Sequence, residues 1–212
     1  TQAIIQYPER PELRILEGVT AYLEGTPESR KKSEELVWEA LGSGKDISNL
    51  KRTASLAYHN LAGYYHQNQG YQEAIVLYLK AIEIRPEYAK AYFNLGNAYF
   101  AQKRSSQAIN SYREATRIDL NLVSDLQALA TLLYDRLQLN EAAMIYKEIL
   151  LDLPKNITTY INYGLVLQAQ EKLQEAEKEY RKALILNPEH SDALINLAGV
   201  NYRQGKTNEA EI

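Results

Sequence analysis

Ala89-Lys90-Ala91-Tyr92-Phe93-Asn94-Leu95-Gly96-Asn97-Ala98-Tyr99-Phe100-Ala101-Gln102 decides how the whole chain is read. Tyr92, Leu95, Gly96 and Tyr99 recur at i, i+3, i+4 and i+7, which is one face of an α-helix. Residues 103–106 (Lys-Arg-Ser-Ser) interrupt the pattern, and a second helix follows through Ala108, Ile109, Tyr112 and Ala115. Two short antiparallel helices approach closely only where facing side chains are small. Gly96 on one helix and Ala108 on the other therefore mark the crossing, while Tyr and Leu fill the wider ends.

The same columns return every 34 residues. Ala74, Ala108, Ala142, Ala176 and Ala210 keep the step, as do Tyr78, Tyr112, Tyr146 and Tyr180. Leu61, Leu95, Leu129 and Leu197 follow it, with Tyr163 filling their gap, beside the small residues Ala62, Gly96, Ala130, Gly164 and Ala198. Pro86, Pro154 and Pro188 close three units, and Leu120 stands in the fourth place. The pattern resembles the tetratricopeptide repeat. Its first helix is carried by Ala-Tyr-Phe-Asn-Leu-Gly-Asn-Ala-Tyr (91–99) and Asn-Tyr-Gly-Leu (162–165), and its second by Glu-Ala-Ile-Val-Leu-Tyr-Leu-Lys-Ala-Ile-Glu-Ile-Arg-Pro (73–86). The resemblance covers residues 55–212 as units 55–88, 89–122, 123–156 and 157–190 and a partial 191–212. The third unit is the most degenerate, with Leu126, Leu133 and Ile149 at places where the family prefers aromatics or alanine. The fold expected is all-α, an α-α superhelical solenoid with a diverged N-terminal helical segment. The fifth unit breaks off beyond Ala210, where such arrays carry a polar cap, so the chain reads as a piece of a longer protein or as one with a disordered end.

Residues 1–54 leave the register and still read as helical, a cap or a docking element for the array. Ile15, Leu16, Val19, Tyr22 and Leu23 share a face of a helix starting near Pro11. Thr26-Pro27 suits the cap and first turn of a second helix carrying Leu36, Val37, Ala40 and Leu41, and Asp46 or Ser48 can cap a third.

Composition narrows the function. Of 212 residues 45% are hydrophobic and 24% charged, which is ordinary for a folded chain. Seventeen Tyr against two Phe and one Trp suit a thin layered structure, in which a ring packs while its hydroxyl reaches water. A net charge of 24 − 27 = −3 argues against nucleic acid as partner, and no apolar run is long enough to span a membrane. The absence of cysteine removes disulfides, thiolate metal sites and thiolate nucleophiles. With no leader pattern in Thr1–Pro8, the expected location is cytoplasmic.

Nothing in the sequence assembles catalytic machinery, so no enzyme activity, cofactor or metal is expected. His59 and His66 lie seven apart on one helix, about 10 Å along its axis, too far to share a metal. Gly42-Ser43-Gly44-Lys45 fails as a phosphate loop, since Glu39 stands where glycine is needed and Asp46 where Ser or Thr is needed. Asn156-Ile157-Thr158 matches a glycosylation acceptor without a secretory signal, and the charges of Glu175–Lys182 form a solvated helix face.

The resemblance implies a concave groove lined by the first helix of each unit. The candidate peptide-binding residues there are His59, Asn60, His66, Phe93, Asn94, Asn97, Phe100, Gln127, Tyr134, Ile161, Asn162, Leu165, Ile195, Asn196 and Tyr202. No frame of three consecutive units supplies the cations of the family's carboxylate clamp. Asn60, Asn94, Asn162 and Asn196 form a ladder broken at Ala128, suited to peptide backbone groups and similar to that of O-GlcNAc transferases. Both phenylalanines of the chain face the groove from one helix. The expected function is a non-catalytic scaffold for another protein, gripping an extended, largely apolar peptide segment. The rival expectations are the substrate-recruiting arm of a larger glycosyltransferase-like enzyme, and self-association through the array end.

Overall fold

A computed structural model describes residues 10–43 and 46–206. Residues 1–9, Gly44, Lys45 and the tail 207–212 with Ala210 lie outside the described residues, and with them part of the phosphate-loop candidate and the end of the fifth repeat. Among the described residues there are eleven α-helices, one 3-10 turn (Tyr22–Glu24) and no strand. They divide into two compact units, residues 1–118 and 119–212. The first holds α1 (Pro11–Ala21), α2 (Pro27–Gly42), α3 (Ile47–Gln67), α4 (Tyr71–Ile84), α5 (Ala89–Ala101) and α6 (Ser105–Ile118). The second holds α7 (Leu122–Asp135), α8 (Leu139–Asp152), α9 (Ile157–Ala169), α10 (Leu173–Leu186) and α11 (Ser191–Arg203).

Local chemistry sets the helix starts. Thr26 caps α2 through a reciprocal pair with Ser29, its hydroxyl accepting the Ser29 N–H at 3.0 Å. Asp46 caps α3 through the Asn49 N–H, and Asn156 caps α9 through the Thr159 N–H at 3.0 Å. The helix stops are a feature that periodicity did not reveal. Gln69, Lys103, Leu137, Glu171 and Gly205 all adopt left-handed backbone, with φ between 58° and 76°, at the same 34-residue step. At each, the following N–H reaches back to the helix: Gly70 to Tyr65 O, Arg104 to Tyr99 O, Gln138 to Leu133 O, Lys172 to Leu167 O and Lys206 to Asn201 O, at 2.8–2.9 Å. This bond satisfies a terminal carbonyl and reverses the chain. Only the last of the five uses glycine.

The repeated columns are the core. Ala74, Ala108, Ala142 and Ala176 are fully buried, as are the rings of Tyr78, Tyr112, Tyr146 and Tyr180. Leu126, Leu133 and Ile149 are equally buried, so the degenerate third unit keeps its packing with aliphatic side chains. Gly96 and Gly164 let the paired helices touch. A Cβ on Gly96 would lie 2.6 Å from Tyr112 Cδ1, with Cε1 nearer still, and one on Gly164 would lie 2.7 Å from Tyr180 Cζ. The N-terminal pair uses the same device, since a Cβ on Gly18 of α1 would meet the Ser33 carbonyl of α2 at 2.9 Å. Ser33 Oγ sits 3.3 Å from the Tyr58 hydroxyl of α3, and Glu34 pairs with Lys80 of α4, which joins this pair to the first repeat.

Candidate functional site

In the first unit, α3 and α5 carry seven of the candidate residues. Four of them form one directed hydrogen-bond chain. The Tyr112 hydroxyl donates to Asn97 Oδ1 at 2.8 Å, and Asn97 Nδ2 donates to Asn94 Oδ1 at 3.5 Å. Asn94 Nδ2 donates to His59 Nε2 at 2.9 Å, which leaves the proton of neutral His59 on Nδ1, facing Asn60 Oδ1 at 3.4 Å. Burial, aided by the Lys90 and Arg85 charges, holds the His59 imidazole below its ordinary value and favours that neutral form. The chain ends on Asn60, which is exposed and keeps its own amide donor. The ladder asparagines Asn60 and Asn94 are thus bridged by a histidine ring rather than bonded to one another.

Around that chain the surface is mixed. Phe93 and Phe100 are half-buried, Phe93 with its ring 5.5 Å from the Tyr112 ring. His66 meets Tyr71 edge-on at 5.3 Å, and burial lowers its pKa as well. The His59 ring lies 5.0 Å from Tyr88, over which Arg85 stacks at 4.0 Å. In the column where Asn97 and Thr131 accept the hydroxyls of Tyr112 and Tyr146, the first repeat has Gly63. The Tyr78 hydroxyl there finds no side-chain partner among the described residues, and burial pushes its pKa up to about 12. The Tyr hydroxyl column and its alternating partners were not read from the sequence, although their 15-residue spacing was available in it.

In the second unit the candidates separate. Ile161 is buried in the core with Leu167, Tyr180, Ala193 and Leu197, so its side chain serves packing and offers no open surface. Gln127 is turned to α9, donating to Thr159 Oγ1 at 2.8 Å. Asn162 bonds the Tyr146 hydroxyl, and Tyr134 lies close enough to Tyr180 to raise its pKa after burial has done so. Leu165 and Asn196 are half-buried, while Ile195 and Tyr202, seven apart on α11, are 69% and 72% exposed. Ile161 and Ile195 occupy one column; α11 packs over the first, and no described helix follows α11 to cover the second.

Among the described residues no group of three or more His, Asp or Glu side chains is placed to hold a metal ion. None of the described helices is long and apolar enough to cross a membrane.

Known proteins resemble the chain along nearly all of the repeat region. The family model described as tetratricopeptide repeat matches residues 53–121, and that described as the middle TPR-like domain of cilia and flagella-associated protein 70 matches residues 126–212. Tetratricopeptide repeat protein 17 of Rattus norvegicus is 28% identical over 129 residues, 56% of this chain and 11% of that protein. Tetratricopeptide repeat protein 6 of Homo sapiens is 40% identical over 58 residues, 27% of this chain and again 11% of the relative. The chain therefore spans about a tenth of the length of these curated relatives. Among solved structures, one described as Functional Characterization of Pseudomonas Aeruginosa pilF shares 26% identity at a TM-score of 0.41, covering 76% of this chain and 73% of that one.

Proposed function

We propose that this chain, which belongs to the tetratricopeptide-repeat family, is a non-catalytic protein-interaction scaffold that holds an extended, largely apolar peptide segment on the inner faces of its first helices. The observation that carries this reading is the α3–α5 face of the first unit. There the half-open rings of Phe93 and Phe100 flank a directed chain of side-chain amides ending in the exposed amide of Asn60. Rings give an apolar side chain a place to lie, and an amide offers a peptide group both a donor and an acceptor. On the second unit Leu165, Ile195 and Tyr202 supply comparable apolar surface, with Asn196 half-exposed between them. In the same reading α1 and α2 cap the first repeat.

The test is selection of binders from a random peptide library, with the Phe93→Asp/Phe100→Asp double variant as counter-screen and far-UV circular dichroism as the control for folding. Selected peptides should share spaced apolar residues and lose binding to the variant. A peptide set that binds both proteins equally would remove the α3–α5 face from the reading.

A further inference from the structure

The second repeat contains an internal arginine clasp. Arg104 donates Nε–H to Gln107 Oε1 at 2.6 Å and a terminal N–H to Gln102 Oε1 at 3.1 Å. Its guanidinium lies 4.5 Å over the Tyr99 ring. Gln102 is held in turn by its Nε2, which donates to Gln72 Oε1 at 3.4 Å. Every acceptor of the clasp is thereby used.

Two repeats on, within the second unit, the acceptors remain and the guanidinium is gone. Gln170 stands for Gln102, Asn140 for Gln72 and Glu175 for Gln107, while Lys172 replaces Arg104 and Leu167 replaces Tyr99. The anchoring bond persists, with Gln170 Nε2 donating to Asn140 Oδ1 at 2.9 Å. Gln170 Oε1 is buried and has no partner. Among the described residues Glu175 has no ion pair, and Lys172 makes none of the bonds that Arg104 makes. An ammonium is a point charge on a flexible stem and cannot reproduce the planar fork that spans two acceptors. In place of the missing group there is a cleft of about 250 Å³, walled by Ala143 and Met144 of α8 and Tyr163 and Leu167 of α9. Burial raises the Tyr163 pKa, and the Glu179 and Glu175 charges add to it. Lys147, Lys172 and Glu175 all line the cleft with exposed side chains, where water and salt screen their charges.

We propose that this α8–α9 cleft is a socket for the side chain of an arginine carried by a partner protein. The guanidinium donates to Gln170 Oε1 and to the Glu175 carboxylate, and the aliphatic stem lies against Met144 and Leu167. A buried acceptor left unpaired is costly, so a group that restores the bond is selected over one of equal size that does not. The socket is separate from the α3–α5 face and does not depend on it.

The test is a nuclear magnetic resonance titration of the full chain with the peptide Ac-Gly-Arg-Gly-NH2, alongside its citrulline and glutamate counterparts. The arginine peptide should shift the Gln170 side-chain amide and Tyr163 saturably, with the citrulline peptide weaker by about tenfold. Lys172→Arg should rebuild the internal clasp and abolish the shifts, and Glu175→Gln should weaken them while leaving the circular dichroism unchanged. Equal shifts from the arginine and citrulline peptides would overturn the socket. So would preference for the glutamate peptide, or undiminished binding to a folded Lys172→Arg protein.

Discussion

Replacing Gly96 by alanine tests the packing argument at its tightest point. An added Cβ would lie 2.6 Å from Tyr112 Cδ1, and ordinary contact begins at 3.4 Å, so ring and helix must separate by close to an ångström. The Tyr112 ring is fully buried and its hydroxyl donates to Asn97 at 2.8 Å, so the same displacement stretches that bond beyond useful length. Overpacking of this kind costs about 1–3 kcal/mol and the lost hydrogen bond about 1 kcal/mol, against a gain of about 1 kcal/mol for alanine over glycine inside a helix. The net expectation is destabilisation by about 1–3 kcal/mol, which in a chain of this size lowers Tm by about 2–12 °C. Ala62 and Ala130 occupy the same column in the first and third repeats, so the fold has a helix spacing that accepts the methyl group, and this keeps the cost within that range. Gly199→Ala is the control: its Cβ meets nothing within 4 Å, and the propensity gain should raise Tm slightly. Thermal melts of both variants decide the matter. A Gly96→Ala protein as stable as the parent would refute close helix contact at this column.

Acid should weaken the fold through its histidines. Burial lowers the His59 and His66 pKa values from 6.5, so their neutral forms support folding fully above pH 6.5 and that support drains away as pH falls towards the folded-state values; His59→Gln and His66→Gln should each flatten the slope of stability against pH in this window. Leu137 is 79% exposed and left-handed at φ 58°, so Leu137→Gly should stabilise by about 0.5–1 kcal/mol in urea titration, whereas Gly205→Ala, at φ 76°, should cost about 1 kcal/mol. The buried Glu177 carboxylate bonds Lys206 Nζ at 2.8 Å and pairs with Arg181, and these partners outweigh burial to lower its pKa below 4.5; Lys206→Met should therefore move the acid-unfolding midpoint to higher pH, and an unchanged midpoint would show the pair to be idle.

The fold was legible because its determinants are periodic. Alanine, tyrosine and the small column at 62, 96, 130, 164 and 198 each appear once per unit, and each has one packing task that only a narrow set of side chains can perform. The left-handed helix stops were invisible for the opposite reason. Gln69, Lys103, Leu137 and Glu171 share no chemistry, since the backbone bond to the preceding helix enforces their conformation and the side chain has no say. The candidate surface lay between these cases. Its residues could be named from helix position, but whether Ile161 is buried or Ile195 open depends on which helix follows.

The repeats constrain function through what they leave unrepeated. At the Tyr hydroxyl column the partners are open space at Gly63, an amide at Asn97, a hydroxyl at Thr131, and for Tyr180 the more distant Gln168 at 3.1 Å. At the clasp column the second repeat fills its own acceptors with Arg104, and the fourth leaves them open. At the Tyr hydroxyl column packing cannot account for these differences, because the buried tyrosine and the buried alanine of its helix are the same each time; at the clasp column Leu167 also takes the place of the Tyr99 ring on which Arg104 stacks. An array of this kind separates its tasks by column. The stacked columns hold each helix pair together, and the divergent polar ones set the hydrogen-bonding surface it presents. In both places the unit that lacks its internal partner leaves a buried donor or acceptor without a side-chain partner, and recognition should be sought there first.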